Sequence, residues 1–422
     1  MNLSKNSKQL MTFFAKNNHI IKKNITSRTE NIVSELYNDI FEAYNHLLKL
    51  KQKGNYFTVT TKKIMAASQI VKPQIFNSKS FPHLVRNHID ELTMSELTYT
   101  FSLEGRNIKV HFMVEEDHIE LKLDTFHKYI DSIIMWLYTL NQYASKECSK
   151  SLVIYLYFTS LEKTLPSSNI HILDEINVNT AFTTTCPKDS EIVVFRKEEW
   201  FKVFIHETFH NFALDFSDMN NNDVHRCVLD IFKVNSDVNL YESYTEFWAE
   251  IMNALFCSFY SLKDKTNIDE FISNAVIFID FEITYSFFQL IKTLEFMGLT
   301  YKDLYSDSHR SRVLRENLYK EKTNILSYYV IKTVLINNYQ GLLHWCKTNN
   351  LSLLQFKKTL SNQNEYCNFI KKNYKSTNII NGINDTIEFV NNIEKKRNNG
   401  LHKKKEMNFI MNNMRMTICE LG

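Results

Sequence analysis

Runs of alternating and continuous apolar residues predict a small sheet in the first half of the chain. Leu97–Leu103 and Ile108–Val114 are rich in β-forming residues and flank the turn sequence EGRN, which is typical of a hairpin. Leu152–Phe158, with the sequence LVIYLYF, is a dense apolar run of the length expected for a buried strand. Shorter strands are predicted at Asn55–Lys62, Asn177–Thr184 and Ile192–Arg196.

Helical periodicity dominates elsewhere. Apolar residues recur at helical spacing over Ile119–Ala144, a second helix is predicted over Glu198–Leu214, and the pattern stays mostly helical to about Glu394. We therefore predict an α+β fold dominated by helices, with a small mixed sheet backed by a long helix. The expected regions are an N-terminal helical region with a possible strand over 1–92, a sheet subdomain over 93–216, a helical subdomain over 217–393 and a basic tail over 394–422.

Composition argues against several classes of protein. Only 7 Gly and 4 Pro occur among 422 residues, and neither G-x-G-x-x-G nor G-x-x-x-x-G-K-[ST] is present, which disfavours dinucleotide-binding and P-loop enzymes. A net charge of +3 is too small to indicate a nucleic-acid partner. The abundance of Asn, Lys, Ile, Phe and Tyr resembles proteins encoded by AT-rich genomes, such as those of large DNA viruses.

Cysteine usage and apolar runs bear on the compartment. The seven cysteines are odd in number and lack a C-x-x-C pair, so we predict free thiols in a reducing compartment. The apolar run near the N-terminus is too short for a signal peptide. The most apolar stretch, about Phe271–Ile291, carries Asp280 and Glu282, which disfavours a membrane span. We expect a soluble intracellular protein, located in a host cytoplasm or a virion if it is viral. The sequence predicts no particular oligomeric state.

The candidate chemistry centres on His206-Glu207-Thr208-Phe209-His210, an H-E-x-x-H motif inside a predicted helix. Residues i and i+4 share a helix face, so both imidazoles can bind one metal ion. Zinc takes such nitrogen ligands together with a third protein ligand, and it keeps one position for water. Glu207 is then placed to accept the proton of that water as the general base.

Uncharged neighbours strengthen the interpretation of this motif. Val203 and Phe204 precede it, Asn211 and Phe212 follow it, and no proline interrupts the predicted helix. Such neighbours indicate that the His and Glu side chains of the motif are buried. Buried imidazoles and carboxylates need partners, which argues against a motif that is simply polar surface. The segment resembles the extended pattern of the zincin metallopeptidases. This resemblance implies a zincin-like fold and the hydrolysis of peptide bonds.

The third ligand is predicted to come from a second helix. The metzincin pattern needs Gly and His three and six residues after the second His, where this chain has Ala213 and Phe216. Downstream, Glu242, Glu246 and Glu250 recur at i, i+4 and i+8 on one helical face, where like charges repel unless a cation lies among them. Two registers are open: Glu246 as ligand with Glu250 behind it, or Glu242 as ligand with Glu246 behind it.

A resemblance favours Glu246 as the ligand. The sequence EFWAE that starts at Glu246 is similar to the E-F-aromatic-A-E block of lethal-factor-like gluzincins and to the N-E-x-x-A block of aminopeptidase gluzincins. The resemblance covers about residues 198–256. It implies that Glu246 binds the metal and that Glu250 orients a ligand His through its other ring nitrogen. His225 and Asp215 are weaker candidates for the third ligand.

Peptide hydrolysis also needs a hydrogen-bond donor for the developing oxyanion. In the families that the chain resembles, a Tyr or a His has this role. The resemblance implies Tyr241 or Tyr244, which lie just before the expected ligand. Tyr328 and Tyr329 are further candidates, in an apolar helical segment.

Together these features predict a zinc-dependent metallopeptidase that binds one Zn²⁺ and acts on a peptide or protein substrate. The resemblance further implies that the peptide pairs with an edge strand before the motif helix, either Asn177–Thr184 or Ile192–Arg196. Two His and one carboxylate also suit iron, but the Glu after the first His favours zinc. The alternative is a catalytically inactive zincin-like protein with a structural or host-interaction role, which aromatic side chains packed over Glu207 would favour.

Overall fold

The structure is a computed structural model that describes residues 3–77, 80–398 and 404–422. Its strands are Thr58–Lys63 (β1), Ser95–Leu103 (β2), Arg106–Val114 (β3), Ser151–Phe158 (β4), Ala181–Thr183 (β5) and Asp189–Val194 (β6). The helices up to the H-E-x-x-H motif are Lys5–Lys16 (α1), Ser27–Lys53 (α2), His83–Leu92 (α3), Leu123–Asn141 (α4), Glu175–Val178 (α5) and Trp200–Asn211 (α6).

The second half of the chain is helical in the described residues. Its α-helices are Asn222–Ile231 (α7), Leu240–Ser261 (α8), Ile268–Met297 (α9), His309–Leu318 (α10), Lys332–Asn337 (α11), Tyr339–Asn349 (α12), Leu360–Asn373 (α13), Thr377–Asn398 (α14) and Lys404–Asn412 (α15). A π-helical turn, Leu326–Ile331, leads into α11. Short 3₁₀ turns lie at Ala67–Gln69, Ile119–Lys122 and Tyr301–Leu304.

Six strands of the described chain form one mixed sheet in the order β1-β2-β3-β4-β6-β5. The β3, β4 and β6 strands are parallel to one another, and the strands outside them pair antiparallel. The predicted hairpin is confirmed: β2 and β3 meet at Glu104 and Gly105, whose φ angles of 49° and 79° are those of a tight two-residue turn. The short β5 strand lies at one edge of the sheet.

Apolar side chains cover both faces of the sheet. On one face, Phe112 and Ile154 belong to the main core, to which α4 and α6 also contribute. On the other face, Tyr157 packs in a second cluster with Phe81 and with Val85 of α3. A strand buried on both sides shows no polar alternation, which explains the continuous apolar sequence of β4.

The predicted fold class is confirmed at the level of a helix-dominated α+β protein with a small mixed sheet. The main core crosses the expected region boundaries, because it holds side chains of α1 and α2 together with those of the sheet and the helical half. β1, from the expected N-terminal region, pairs with β2 of the next one. Helix α9 is long and apolar enough to cross a bilayer, yet 72% of its apolar window is buried inside the protein, as in a core helix.

The predicted basic tail over 394–422 does not describe the end of the chain. Residues 399–403 lie outside the described part, but the segment after α15 is buried among the other helices. Its backbone is held by side chains. Glu199 accepts hydrogen bonds from two consecutive N–H groups at 2.7 and 2.6 Å, and Glu282 accepts those of the next two residues at 3.1 and 2.9 Å.

The prediction of seven free thiols is wrong. Cys148 is bonded to Cys186, and Cys227 is bonded to Cys367. The three remaining cysteines are buried and unbonded: Cys257, Cys346 and Cys419. The pairing could not be predicted because the partners are 38 and 140 residues apart in the chain. The disulfides remove the argument from free thiols for a reducing compartment.

The buried pair of Glu199 with Lys163 gives a test of how the last segment is held. The Glu199→Ala variant leaves Lys163 buried without its partner and removes the acceptor of two backbone N–H groups. We expect a loss of about 3–5 kcal/mol of stability, measured as a lower midpoint of urea unfolding. Glu120→Ala, at an exposed acid, is the control and should change stability by less than about 0.5 kcal/mol. Equal midpoints for the two variants would contradict the assigned role.

Candidate metal centre

Helix α6 carries the motif and is buried on almost every side. Trp200, Phe204 and Phe209 pack into the main core, and the indole N–H of Trp136 donates to the hydroxyl of Thr208 at 2.8 Å. A helix that is apolar on most of its surface is stable only inside a protein. The polar His and Glu side chains of the motif therefore turn toward a single cleft.

Three ligand atoms converge where α6 faces α8. The Nε2 atoms of His206 and His210 are 3.1 Å apart. Oε2 of Glu242 lies 3.2 Å from Nε2 of His206 and 3.4 Å from Nε2 of His210. Among the described residues, these three form the one group of His, Cys, Asp and Glu side chains whose ligand atoms could hold a metal ion.

The triangle of donor atoms fits a zinc site. In a tetrahedral site with bonds of about 2.0–2.1 Å, ligand atoms lie roughly 3.3–3.4 Å from one another. The three observed edges are close to that length, so the donors suit a small divalent ion without movement of α6 or α8. Two nitrogens and one carboxylate oxygen are also a donor set that zinc commonly takes.

Carboxylates fix both imidazoles from behind. Nδ1 of His206 lies 2.9 Å from Oε2 of Glu246, and Nδ1 of His210 is hydrogen-bonded to Asp215. Each bond leaves Nε2 as the free metal-binding nitrogen, and such partners orient ligand histidines in metal sites. Burial alone would lower the pKa of His210, but Asp215 and Glu242 outweigh burial and raise that pKa well above its ordinary value.

The register predicted for α8 is corrected by one helical turn. Glu246, the expected ligand, contacts the rear nitrogen of His206 and the buried ammonium of Lys202. Glu250, expected to orient a histidine, pairs instead with Lys332 at 3.0 Å. Glu242 is instead the carboxylate that converges with both histidines, as in the other register that the spacing left open.

Asp215, predicted only as a weaker candidate for the third ligand, instead bonds Nδ1 of His210. Ala213 adopts a φ of 54°, in the left-handed region that glycine favours. The chain thus turns sharply after α6 without a glycine and brings Asp215 back to His210. Asp215 also accepts the hydroxyl of Thr245 at 3.1 Å. The other weak candidate, His225, lies away from the centre, with Nε2 3.2 Å from the carbonyl oxygen of Ser236.

Glu207 stands beside the ligands without joining them. It lines the same cleft as His206, His210 and Glu242. Burial raises the pKa of Glu207 above its ordinary value, although both histidines oppose that shift. A carboxylate whose pKa is raised toward neutrality is suited to accept a proton and to return it.

The tyrosines divide clearly between core and cleft. Tyr244, one of the two expected donors, is fully buried and its hydroxyl donates to the carbonyl oxygen of Leu354 at 3.0 Å, which excludes it as an oxyanion donor. Tyr241 stands edge-on to the His210 ring, with centroids 5.8 Å apart, and is not among the cleft-lining residues. Tyr328 does line the cleft, and its hydroxyl donates to Oε2 of Glu242 at 3.0 Å.

His206, His210 and Glu242 line a cleft of about 410 Å³. One wall of this cleft is the strand β5. Among the described strands, β5 pairs with β6 alone, so its other side is unpaired. Of the two predicted edge strands, Asn177–Thr184 contains β5, although its first residues belong to α5. Ile192–Arg196 overlaps β6, which lies inside the sheet and cannot be the edge. The free edge of β5 therefore borders the metal centre.

Comparisons with known proteins add no relative. The chain matches none of the protein-family models, curated proteins or solved structures with which it was compared.

Two glutamine variants on adjacent turns of α8 test the register. Glu242→Gln removes a ligand and should abolish stoichiometric zinc binding. Glu246→Gln weakens the orientation of His206 and should lower zinc affinity by about 10–100-fold. Zinc affinity is measured by competition with a chromophoric chelator, and Asp218→Asn, at an exposed acid paired with Lys358, is the control. Loss of binding in the Glu246 variant with retention in the Glu242 variant would restore the other register.

Proposed function

We propose that the protein is a zinc-dependent metallopeptidase of the gluzincin type, with His206, His210 and Glu242 as ligands. The observation that carries this proposal is the triangle of three ligand atoms with Glu207 in the same cleft. The order of elements supports a zincin-like fold: a sheet with an antiparallel edge strand, then the motif helix, then a second helix with the acidic ligand.

A zinc ion in this site would lower the pKa of a water molecule and polarise the carbonyl of the scissile bond. Glu207 accepts a proton from the water while the water oxygen bonds to the carbonyl carbon. Glu207 then gives that proton to the leaving nitrogen as the C–N bond breaks. Tyr328 would donate a hydrogen bond from its hydroxyl to the developing oxyanion, in place of its hydrogen bond to Glu242.

The peptide itself would bind along β5. Backbone N–H and C=O groups on the free side of an edge strand can pair with an added strand. β5 is only three residues long, so such pairing fixes the main chain near the metal without a long ladder. A peptide paired with β5 in this way would have one of its peptide bonds close to Glu207.

Access to Glu207 favours an enzyme over an inactive zincin-like protein. The cleft beside the motif is open, and its walls include polar side chains such as Asn179, Asn239 and Thr323. The N-terminal helix α2 packs on α4, α8, α9 and α12, and none of its residues lines the cleft. No observation on the described residues specifically favours a purely structural role.

Replacing Glu207 separates metal binding from catalysis. The Glu207→Gln variant keeps all three ligands, so zinc content by atomic emission should stay at one ion per chain. Hydrolysis of a quenched fluorescent peptide pool should fall by about 10²–10⁴-fold, because the general base is lost. If the Glu207→Gln variant lost zinc and kept its activity, the assignment of Glu207 as the general base would be contradicted.

Tyr328 is tested against its neighbour. The Tyr328→Phe variant should lower kcat by about 10²–10³-fold with little change in KM, because the hydroxyl acts on the oxyanion only in the transition state. Tyr329→Phe removes a hydroxyl bonded to the carbonyl oxygen of Met414 at 2.7 Å, outside the cleft. That control should lose about 0.5–1.5 kcal/mol of stability and keep its kcat. The same kcat for both variants would remove Tyr328 from the reaction.

A further inference from the structure

One end of the metal cleft is crossed by a wall. Just before β5, Oδ1 of Asn179 accepts a hydrogen bond from the hydroxyl of Thr323 at 2.7 Å, and both residues line the cleft. Behind that contact, the N–H of Lys322 donates to the carbonyl oxygen of Leu173 at 2.9 Å. Leu173 and Glu321 also form a parallel bridge. Asn179 and Leu173 on the sheet side of the cleft are therefore joined to residues 321–323 on its helical side, at the N-terminal end of β5.

Buried groups hold both halves of this wall in place. On the sheet side, the buried guanidinium of Arg196 donates to the carbonyl oxygens of Asn179 and Ile176 at 3.2 and 2.5 Å. On the helical side, Glu321 accepts hydrogen bonds from three neighbours: Ser236, Tyr319 and the N–H of Leu326. A segment fixed by several hydrogen bonds to partly buried charges is a rigid boundary and not a movable flap.

A peptide strand paired with β5 has to end at this wall. Antiparallel pairing gives the more stable ladder, so the peptide would run from Thr183 toward Ala181. Its carboxyl end would then meet Asn179. A chain that continued further would have to pass through the contact between Asn179 and Thr323.

Among the described residues that line the cleft, Lys322 is the one lysine or arginine, and it lies at the wall. Lys322 is exposed and lines the cleft between Glu321 and Thr323, and an ammonium group forms strong charge-assisted hydrogen bonds with a carboxylate. Glu175 lines the same end of the cleft and would suit an amino terminus only if the peptide ran parallel to β5. The direction of strand pairing and the position of Lys322 agree on the carboxyl terminus.

We infer that the cleft takes the carboxyl terminus of a peptide, with Lys322 as its binding group, and that the enzyme releases short C-terminal fragments. This inference rests on the proposed peptidase function and adds the class of substrate to it. The substrates are peptides or unstructured protein tails with a free carboxylate, because only such an end can lie against the wall.

Blocked peptides test the inference on the full-length, zinc-loaded protein. One peptide pool is offered with free ends, with an amidated C-terminus, or with an acetylated N-terminus, and the products are identified by mass spectrometry. We expect short C-terminal fragments, a fall in kcat/KM of about 10–100-fold on amidation, and no change on acetylation. Undiminished cleavage of the amidated peptides would overturn the inference and leave the peptidase function intact. Loss of cleavage on acetylation alone would overturn it in favour of the amino terminus.

Charge variants locate the binding group. Lys322→Gln should abolish the preference for the free carboxylate, and Lys320→Gln, at an exposed lysine outside the cleft, should keep it. Glu175→Gln should also keep the preference. If Lys322→Gln retained the preference in full, Lys322 would not be the binding group and the inference would fail.

Binding to an inactive variant separates the two proposals. If no peptide is hydrolysed, the proposed function fails, and the zinc-loaded Glu207→Gln protein still reports on the cleft. Its affinity for a fluorescent peptide with a free carboxylate should exceed that for the amide by about tenfold or more. Equal affinities, or no binding of either peptide, would overturn the inference.

Discussion

Helix α8 carries three carboxylates on one face. Glu246 and Glu250 are buried, Glu242 is half-buried at the cleft, and an uncompensated buried carboxylate would cost several kcal/mol. Each one meets a basic partner, and Glu246 also shares His206 with Glu242. Glu242 meets the two imidazoles of the motif, Glu246 meets Lys202, and Glu250 meets Lys332. The partners come from α6 and from the start of α11, so balancing the charge on α8 fixes how these helices lie around the metal centre.

The same balance explains why spacing did not identify Glu242 as the carboxylate that converges with the two histidines. Glu242 and Glu246 lie one turn apart on the same face, so spacing alone cannot choose between them. The choice depends on how far α8 is displaced along α6, which is a property of packing. One indication was present in the sequence: Lys202, four residues before His206, is a cation among the apolar residues that begin the motif helix. A buried lysine needs a carboxylate, and pairing it with Glu246 would have left Glu242 for the metal.

Local sequence patterns predicted the helices and strands, but they could not predict contacts between residues far apart in the chain. The β2–β3 hairpin, β4 and α6 follow from short stretches whose periodicity and turn residues act within a few positions. The disulfides and the buried C-terminal segment depend on residues far apart in the chain. The basic cluster before α15 suggested a solvated tail, but the apolar residues after it, such as Met414 and Ile418, needed a core. Asp215 was missed because the turn at Ala213 is one that glycine usually makes.

The C-terminal segment and the metal centre belong to one electrostatic unit. Lys332 donates both to Glu250 and to the carbonyl oxygen of Met416, at 3.0 and 3.1 Å. Glu199, at the start of α6, accepts the N–H of Met416 at 2.7 Å. Met416 therefore lies where the motif helix, the ligand helix and α11 meet. A catalytic geometry has to be held within about 0.5 Å, so the H-E-x-x-H motif alone cannot specify this centre. Its ligand triangle also depends on residues more than 150 positions downstream of α8.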